Sequence, residues 1–226
     1  MTSAERSSIR RNALGIGAYA GAFGASFGAV SIAAGLGLPH TVLLSLLMFT
    51  GASQFALIGV IGSGGAMLAA VAAALLLGVR NAFYAVSMSQ ILGVRGRHAA
   101  VPAHFVIDET TAMAISRDDP AAQRYAFWAT GLTLFGCWNI GTLAGALGGA
   151  AIGDPESLGL DAAIPAAFLA LLWPRLRDRN GRLVALGGAL VATVLIPLVP
   201  AGVPVLAAAA VAVLAGLRAR TREGAS

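Results

Sequence analysis

Arg80, Asp108 and Glu109 are charged residues inside apolar sequence, where an ion pair or a binding site needs them. Arg80 stands about halfway through the apolar segment 66–93, and the two adjacent acids lie in the apolar stretch 101–116. A guanidinium at membrane depth requires a carboxylate beside it, from the protein or from a bound molecule. The acids can pair with Arg80, bind an ammonium group or carry a coupling proton. The alternatives are that Arg80 snorkels to an interface and that the acids cap a solvated helix.

A second polar group stands in the middle of the apolar segment 41–61. There Gly51 is followed by Ser53 and Gln54, two hydrogen-bonding side chains. A glycine followed by such residues is typical of a broken membrane helix, whose freed backbone N–H groups can point at a carboxylate. The alternative is a small-residue packing face in which Ser53 bonds back to its own helix. We predict that Ser53 and Gln54 bind a small substrate.

Three further polar or aromatic residues complete the predicted site. Asn81 follows Arg80 directly, and Tyr84 lies four residues after Arg80, on the same helix face. Trp138 stands at the centre of segment 124–151, where it either lines a pocket or packs against a neighbouring helix. The residues predicted to bind substrate are Ser53, Gln54, Arg80, Asn81, Tyr84 and Trp138. Asp161 is interpreted as the N-cap of segment 162–174.

The elements that position these residues are membrane helices. No Asp, Glu, Lys or Arg occurs in the 68 residues between Arg11 and Arg80, although a soluble domain needs charge on its solvent face. Charged residues make up 11% of the chain, against about 25% in globular domains, and the mean hydropathy is +0.81. The many Ala, Gly and Leu residues favour packed helices over a barrel. With Cys137 as the single cysteine, we expect no internal disulfide and no metal site.

We predict an all-α polytopic membrane protein of about 6–8 membrane segments, forming one domain over residues 1–226. The apolar segments are 13–38, 41–61, 66–93, 101–116, 124–151, 162–174, 183–199 and 203–217. Arginine clusters predict that the tails, 1–12 and 218–226, are cytoplasmic. Three crossings from a cytoplasmic N-terminus would leave Arg95 and Arg97 outside, against the positive-inside rule. Either that loop is an exception, or some segments dip into the membrane without crossing it.

Small residues suggest close packing and an internal repeat. Glycine pairs with GxxxG spacing (Gly17/Gly21, Gly24/Gly28, Gly141/Gly145 and Gly145/Gly149) predict close contact between helices. The sequences GLGLP at 35–39 and SLGLD at 157–161 each follow a Gly-rich segment and precede a short apolar one. Transporters are often built from such repeats, and coincidence in a Gly/Leu-rich chain is the alternative.

Taken together, these residues resemble the AzlC-type branched-chain amino acid permease family over about residues 13–173. The resemblance rests on GAFG at 21–24, FTGASQF at 49–55, VRNAFY at 79–84, Asp108-Glu109 followed by Ala112, Trp138 with Gly141-Thr142, and LGLD at 158–161 with Phe168. The family often has His where this chain has Asn81. Proton coupling through that His is therefore not expected here, and the coupling ion stays open.

The resemblance implies a secondary transporter that exports branched-chain and other hydrophobic amino acids across the bacterial inner membrane, driven by protons or by the membrane potential. It also implies a second, small membrane subunit of the AzlD type, no cofactor and no enzymatic activity. Two alternatives remain at this point. One is a passive channel for small polar solutes; the other is an intramembrane serine protease with Ser53 as nucleophile, for which none of His40, His98 and His104 stands mid-span after the serine.

Overall fold

The computed structural model describes residues 1–152, 169, 172–173, 175–199 and 202–223. All regular structure in these residues is helical, with nine α-helices and two short 3₁₀ turns, Gly96–Ala99 and Arg175–Arg177. The helices are α1 Ser3–Ala33, α2 Leu38–Leu47, α3 Gly51–Gly62, α4 Met67–Leu92, α5 Ala100–His104, α6 Asp108–Ile115, α7 Pro120–Ile152, α8 Arg179–Leu195 and α9 Val203–Glu223. The predicted all-helical class is confirmed.

Local sequence explains where the long helices begin and end. Thr2 caps α1 and forms a capping box with Glu5. Helix α7 begins at Pro120, directly after Asp119, whose carboxylate accepts a hydrogen bond from the N–H of Ala122. Helix α4 ends at Gly93, which adopts the left-handed conformation that only glycine takes without strain. These three helices, of 31, 33 and 26 residues, form the frame of the protein.

Helices α1 and α7 pack side by side and run in the same direction. Ile9 near the start of α1 clusters with Ala122 near the start of α7, and further along Gly17 lies against Thr133. A Cβ added at Gly28 would overlap the carbonyl oxygen of Thr142, so glycine is required for this approach. The predicted close contact at the GxxxG glycines is confirmed, and α1 and α7 are the two helices that make it.

The segment predicted as 41–61 is a hairpin of two half-length helices, α2 and α3, which we call the first hairpin. Helix α2 starts beyond the C-terminal end of α1 and descends to Phe49, whose ring lies 5.0 Å from that of Phe135, midway along α7. Helix α3 then returns, and a Cβ on Gly62 would lie 3.1 Å from Ala34, directly after the end of α1. The predicted break is present at residues 48–50, and the first hairpin returns to the end at which it began.

The segment 101–116 is a second hairpin, which enters from the other end. The 3₁₀ turn Gly96–Ala99 and α5 lead to His104, whose ring lies 5.6 Å from Phe135 at mid-length of α7. Helix α6 then returns, so that Met113 clusters with Ile9 and Ala122. The tips of the second hairpin and the first hairpin therefore meet in the middle of the protein.

Helix α4 connects the two ends and runs antiparallel to α1 and α7. Its last residues lie beside the start of α7, where the Arg124 side chain donates to the carbonyl of Ile91 over 3.0 Å. Arg95 and Arg97 therefore lie at the end that also holds the start of α1, which we call the arginine-rich end. The expected conflict with the positive-inside rule disappears, because the first hairpin does not cross from one end to the other.

Helices α8 and α9 form an antiparallel pair, with Gly187 against Val211 and Gly188 against Ala208. A Cβ on Gly202, just before α9, would meet Val60 and Ala69, so the start of α9 lies at the end opposite the arginines. Most of the predicted segment 162–174, together with the N-cap role of Asp161 and the second copy of the internal repeat, lies outside the described residues.

Two of the described helices, α1 and α4, are long and apolar enough to cross a membrane by length and composition. Helices α2 and α3 and the first part of α9 are shorter and also apolar. At 1.5 Å per residue, α2 and α3 each extend about 15–18 Å, roughly half of a bilayer core of about 30 Å. The protein is a helical membrane protein, and the number of complete passes remains a prediction.

Candidate functional site

A cavity lies at the centre of the protein, where the two hairpin tips meet. The volume that the centre of a water molecule can occupy in this cavity is about 80 Å³. Five helices and both tips contribute to its wall, through Ile16, Tyr19, Ala20, Phe23, Phe49, Thr50, Gly51, Ala52, Phe55, Arg80, Ile107, Asp108, Glu109, Leu134 and Trp138. A larger, open concavity of about 510 Å³ lies beside the first turns of α1, far from these residues.

An ion pair forms the polar part of the cavity wall. The Nη1 atom of Arg80 lies 2.7 Å from Oδ2 of Asp108, which joins the middle of α4 to the first residue of α6. Glu109 follows in the first turn of α6 and lines the same cavity. Both acids benefit from the positive end of the α6 dipole. The three charged residues predicted from the sequence are thus brought together.

Trp138 forms another part of the wall, against the start of α3. Its ring packs on Phe27, with the ring centres 6.2 Å apart, and a Cβ on Gly51 would lie 2.7 Å from its Cη2 atom. Gly51 therefore lets the indole lie against the first turn of α3. Because the first N–H groups of a helix have no partner within that helix, the backbone at Gly51 and Ala52 offers donors at the cavity wall.

Several polar atoms of the cavity-lining residues have no hydrogen-bond partner among the described residues. They are Thr50 Oγ1, Arg80 Nε, Asp108 Oδ1 and Trp138 Nε1. Three of these atoms can donate and one accepts. Buried polar atoms are costly to leave unpaired, so the arrangement suits a molecule that carries both an acceptor group and a donor group.

An aromatic cluster closes the middle of the protein beside the cavity. Phe49, at the tip of the first hairpin, stacks on His104 with ring centres 5.9 Å apart and meets Phe105 edge-on at 6.0 Å. Phe135 of α7 contacts all three rings. This set (Phe49, His104, Phe105 and Phe135) holds the two hairpin tips together.

Ser53 and Gln54 lie outside the cavity wall. The Ser53 hydroxyl is buried, and a Cβ on Gly78 of α4 would lie 3.5 Å from it. The Gln54 amide donates to the carbonyls of Leu44 (3.1 Å) and Met48 (2.7 Å), the last carbonyls of α2. Gln54 thus stabilises the break in the first hairpin.

Asn81 and Tyr84 also lie outside the wall, although both share α4 with Arg80. Asn81 is half-buried, and its Oδ1 has no hydrogen-bond partner in the described structure. Tyr84 packs against a cluster that includes Met88, Val106 and Phe127. Of the eight residues predicted as site residues, Arg80, Asp108, Glu109 and Trp138 line the cavity.

The sequence analysis did not identify the apolar part of the wall. Tyr19, Phe49, Phe55, Ile107 and Leu134 line the cavity, but each is one apolar residue among many in an apolar chain. Their position follows from which helices meet, and no local pattern distinguishes them. The exception is Phe49, which directly precedes the predicted break and could have been included on that ground.

The chain belongs to the AzlC family. The family model described as "AzlC protein" matches residues 15–152, which include both hairpins and the whole cavity wall. An uncharacterized membrane protein of Archaeoglobus fulgidus is 32% identical over 168 residues, covering 73% of each chain. No solved structure matches the chain. The AzlC family is a family of membrane transporters associated with branched-chain amino acids.

Proposed function

We propose that this protein exports branched-chain and other hydrophobic amino acids across the bacterial inner membrane. It would act as a proton- or potential-driven secondary transporter and as the large subunit of an exporter whose small subunit is of the AzlD type. Its membership of the AzlC family supports the transport of branched-chain amino acids at the level of the family. The substrate, the coupling, the direction and the partner are parts of the proposal.

The observation that carries the proposal is the presence of charges of both signs and apolar rings in one cavity wall. A zwitterionic amino acid needs a cation or a helix N-terminus for its carboxylate, and an acid for its ammonium group. Arg80 and the N–H groups at Gly51 and Ala52 suit the carboxylate. Asp108 and Glu109 suit the ammonium group.

The rest of the wall suits an aliphatic side chain. Ile16, Phe23, Phe55 and Leu134 are apolar residues of α1, α3 and α7 that line the cavity. A branched aliphatic group would lie against these residues while the charged groups hold the α-carbon end. Ser53, Gln54, Asn81 and Tyr84 stay predictions as substrate ligands, since they stand on the same elements without lining the wall.

The two hairpins suggest how the cavity would open to either side. The first hairpin fills the space between the cavity and one end of the protein, and the second hairpin fills the space towards the arginine-rich end. Movement of one hairpin at a time would expose the cavity to one side only, as alternating access requires. Protonation of Asp108 or Glu109 would release the substrate ammonium group and so couple transport to protons.

Efflux measurements test this proposal. Cells preloaded with labelled leucine should lose it faster when they express this chain with its AzlD-type subunit than when they carry empty vector. Labelled lysine and glutamate serve as controls, because the apolar wall has no group for a second charge. Equal leucine loss with and without the proteins would contradict the proposal.

A passive channel is the second candidate, and the hairpin arrangement is the observation that favours it. Half-helices that meet midway from opposite ends also occur in channels, where their dipoles select the permeant solute. The aromatic cluster across the middle favours a transporter, because a pore needs a continuous path. Inverted vesicles separate the two: a transporter accumulates leucine against its gradient when energised, and a channel only equilibrates it.

A further inference from the structure

The central cavity is open on one side, between α1 and α4. The side chains of Arg80 and Asp108 are 39% and 41% exposed, and Glu109 is exposed as well. Tyr19, which lines the cavity from the middle of α1, is 61% exposed. These polar groups are therefore accessible from the side of the protein, halfway along its length.

Apolar side chains frame this opening. Phe83 lies three residues after Arg80 and so beside it on α4, and it is 72% exposed. Val79 and Val86 continue the exposed apolar strip along the same helix. In a bilayer this strip places the opening at hydrocarbon depth, where acyl chains cannot hydrogen-bond to charged groups and their exposure is costly.

The charges at the opening indicate what covers it. Arg80 contributes one positive charge, and Asp108 and Glu109 contribute two negative charges. A second copy of this chain related by a two-fold axis through the opening would bring two such surfaces together, with four acids and two arginines, and so leave two negative charges without a partner. Such a contact would be repulsive, so a different polypeptide with a hydrogen-bond donor suits the opening better.

We propose that a membrane helix of a different, small membrane protein packs across this opening, between Tyr19 and Phe83, and completes the wall of the site. Its contacting face would carry small residues for close approach and a donor directed at Glu109. This inference rests on the proposed function, because the partner used in the test is the AzlD-type subunit.

Site-specific photo-crosslinking tests the inference. The photoreactive residue p-benzoylphenylalanine replaces Tyr19 or Phe83, one at a time, in the full-length chain co-expressed with an epitope-tagged AzlD-type subunit of the same organism. Ile140 is the matched control: it is 72% exposed, and it stands two residues after Trp138, so it faces away from the cavity. Irradiation of intact cells should give tagged adducts from positions 19 and 83 and none from position 140.

Four results would overturn the inference. These are adducts with the mass of two copies of this chain, crosslinks within the chain that add no mass, the absence of any protein adduct at 19 and 83, and equal adducts at all three positions. Leucine efflux from the same cells, expressing the chain without the photoreactive residue, separates the two proposals. Efflux without crosslinks contradicts the docking position alone, whereas crosslinks without efflux contradict the proposed function alone.

Discussion

The ion pair between Arg80 and Asp108 joins a long helix of the frame to the tip of the second hairpin, a part of the protein that is proposed to move. In one role the pair only fastens the hairpin to α4. In the other, Arg80 exchanges Asp108 for the carboxylate of the substrate. Exchanging the two charges separates these roles, because the exchanged residues can still form an ion pair, whereas α4 then presents no cation to the substrate carboxylate.

Replacing Arg80 tests its role in recognition. Arg80→Ala should reduce leucine efflux by about ten- to a hundredfold, since a hydrogen bond to a charged group contributes about 1.5–3 kcal/mol. Arg97→Ala, in an exposed loop at the arginine-rich end, should leave efflux unchanged. The double variant with Arg80→Asp and Asp108→Arg should give as much folded protein as the original chain, but its leucine efflux should stay as low as that of Arg80→Ala. Efflux at the original rate in Arg80→Ala would refute the assignment.

Four of the eight residues predicted from the sequence line the central cavity, and three of them do so for a physical reason. Arg80, Asp108 and Glu109 stand out because a bilayer tolerates charge only where it has a use. Ser53 and Gln54 were also noticed by their polarity, but in the structure Gln54 bonds to the hairpin backbone. Polarity in an apolar segment indicates an interior position. It does not distinguish a residue that faces a cavity from one that stabilises an irregular backbone.

In both hairpins a polar side chain near the tip forms hydrogen bonds with the backbone at the break. In the first hairpin the Gln54 amide, in the first turn of α3, bonds back to the carbonyls that end α2. In the second hairpin the Thr110 hydroxyl, in the first turn of α6, donates to the carbonyl of Phe105 over 2.6 Å and accepts from the N–H of Ile107. The Thr110 bonds satisfy backbone groups that the broken helix would otherwise leave unpaired within the bilayer. Gln54 adds a second donor to carbonyls that also accept from the N–H groups of Met48 and Thr50.

Removing the Gln54 hydrogen bonds from the first hairpin should destabilise the protein. Gln54→Leu leaves the carbonyls of Leu44 and Met48 without this donor, which should lower the free energy of unfolding by about 1–3 kcal/mol. Gln90→Leu, at an exposed position near the end of α4, is the matched control. Thermal unfolding in detergent measures both variants. Equal unfolding midpoints would show that the Gln54 hydrogen bonds contribute nothing to stability.

The contact between α1 and α7 makes a separate prediction. Gly28→Ala should loosen the pair, because its Cβ would overlap the Thr142 carbonyl oxygen, and overpacking of this kind costs about 1–3 kcal/mol or more. Gly15→Ala in the same helix should have no such effect, since a Cβ there meets nothing within 4 Å. The yield of monodisperse protein and its thermal midpoint measure the difference. A Gly28→Ala variant as stable as Gly15→Ala would contradict the packing.

Charge is distributed unevenly over the protein as a whole. Arg6, Arg10, Arg11, Arg95, Arg97, Arg117 and Arg124 lie at the arginine-rich end. The described turns at the other end, near residues 34–37, 63–66 and 196–199, contain no charged residue. This asymmetry is what the positive-inside rule requires of a protein whose arginine-rich end is cytoplasmic.

Thiol labelling distinguishes a first hairpin that returns to the side on which it began from a chain of eight complete passes. In a background with Cys137→Ala, we expect Ser63→Cys to react with an impermeant maleimide from the periplasm, and His98→Cys to react only from the cytoplasm. With eight passes, the first hairpin would be a crossing and both results would be reversed. Permeabilised cells, in which both sites should react, provide the control.

The order of the segments was predictable from the sequence, whereas their path was not. A run of 21 apolar residues, such as 41–61, has the composition of one crossing and equally of a hairpin that reaches the middle and returns. The conflict at Arg95 and Arg97 did indicate that one segment fails to cross. Only the contacts of Phe49 with the middle of α7 and of Gly62 with Ala34, just after the end of α1, identify which one.

The pairing of α1 with α7 has a consequence for biosynthesis. Residues 34–119 stand between the two helices in the chain, and translation proceeds at about 5–20 residues per second. For a period on the order of ten seconds, the glycine face of α1 is therefore already in the membrane before its permanent neighbour has been made. During that interval the insertion machinery or lipid must shield this face, because exposed packing surfaces of unfinished chains are prone to mispairing.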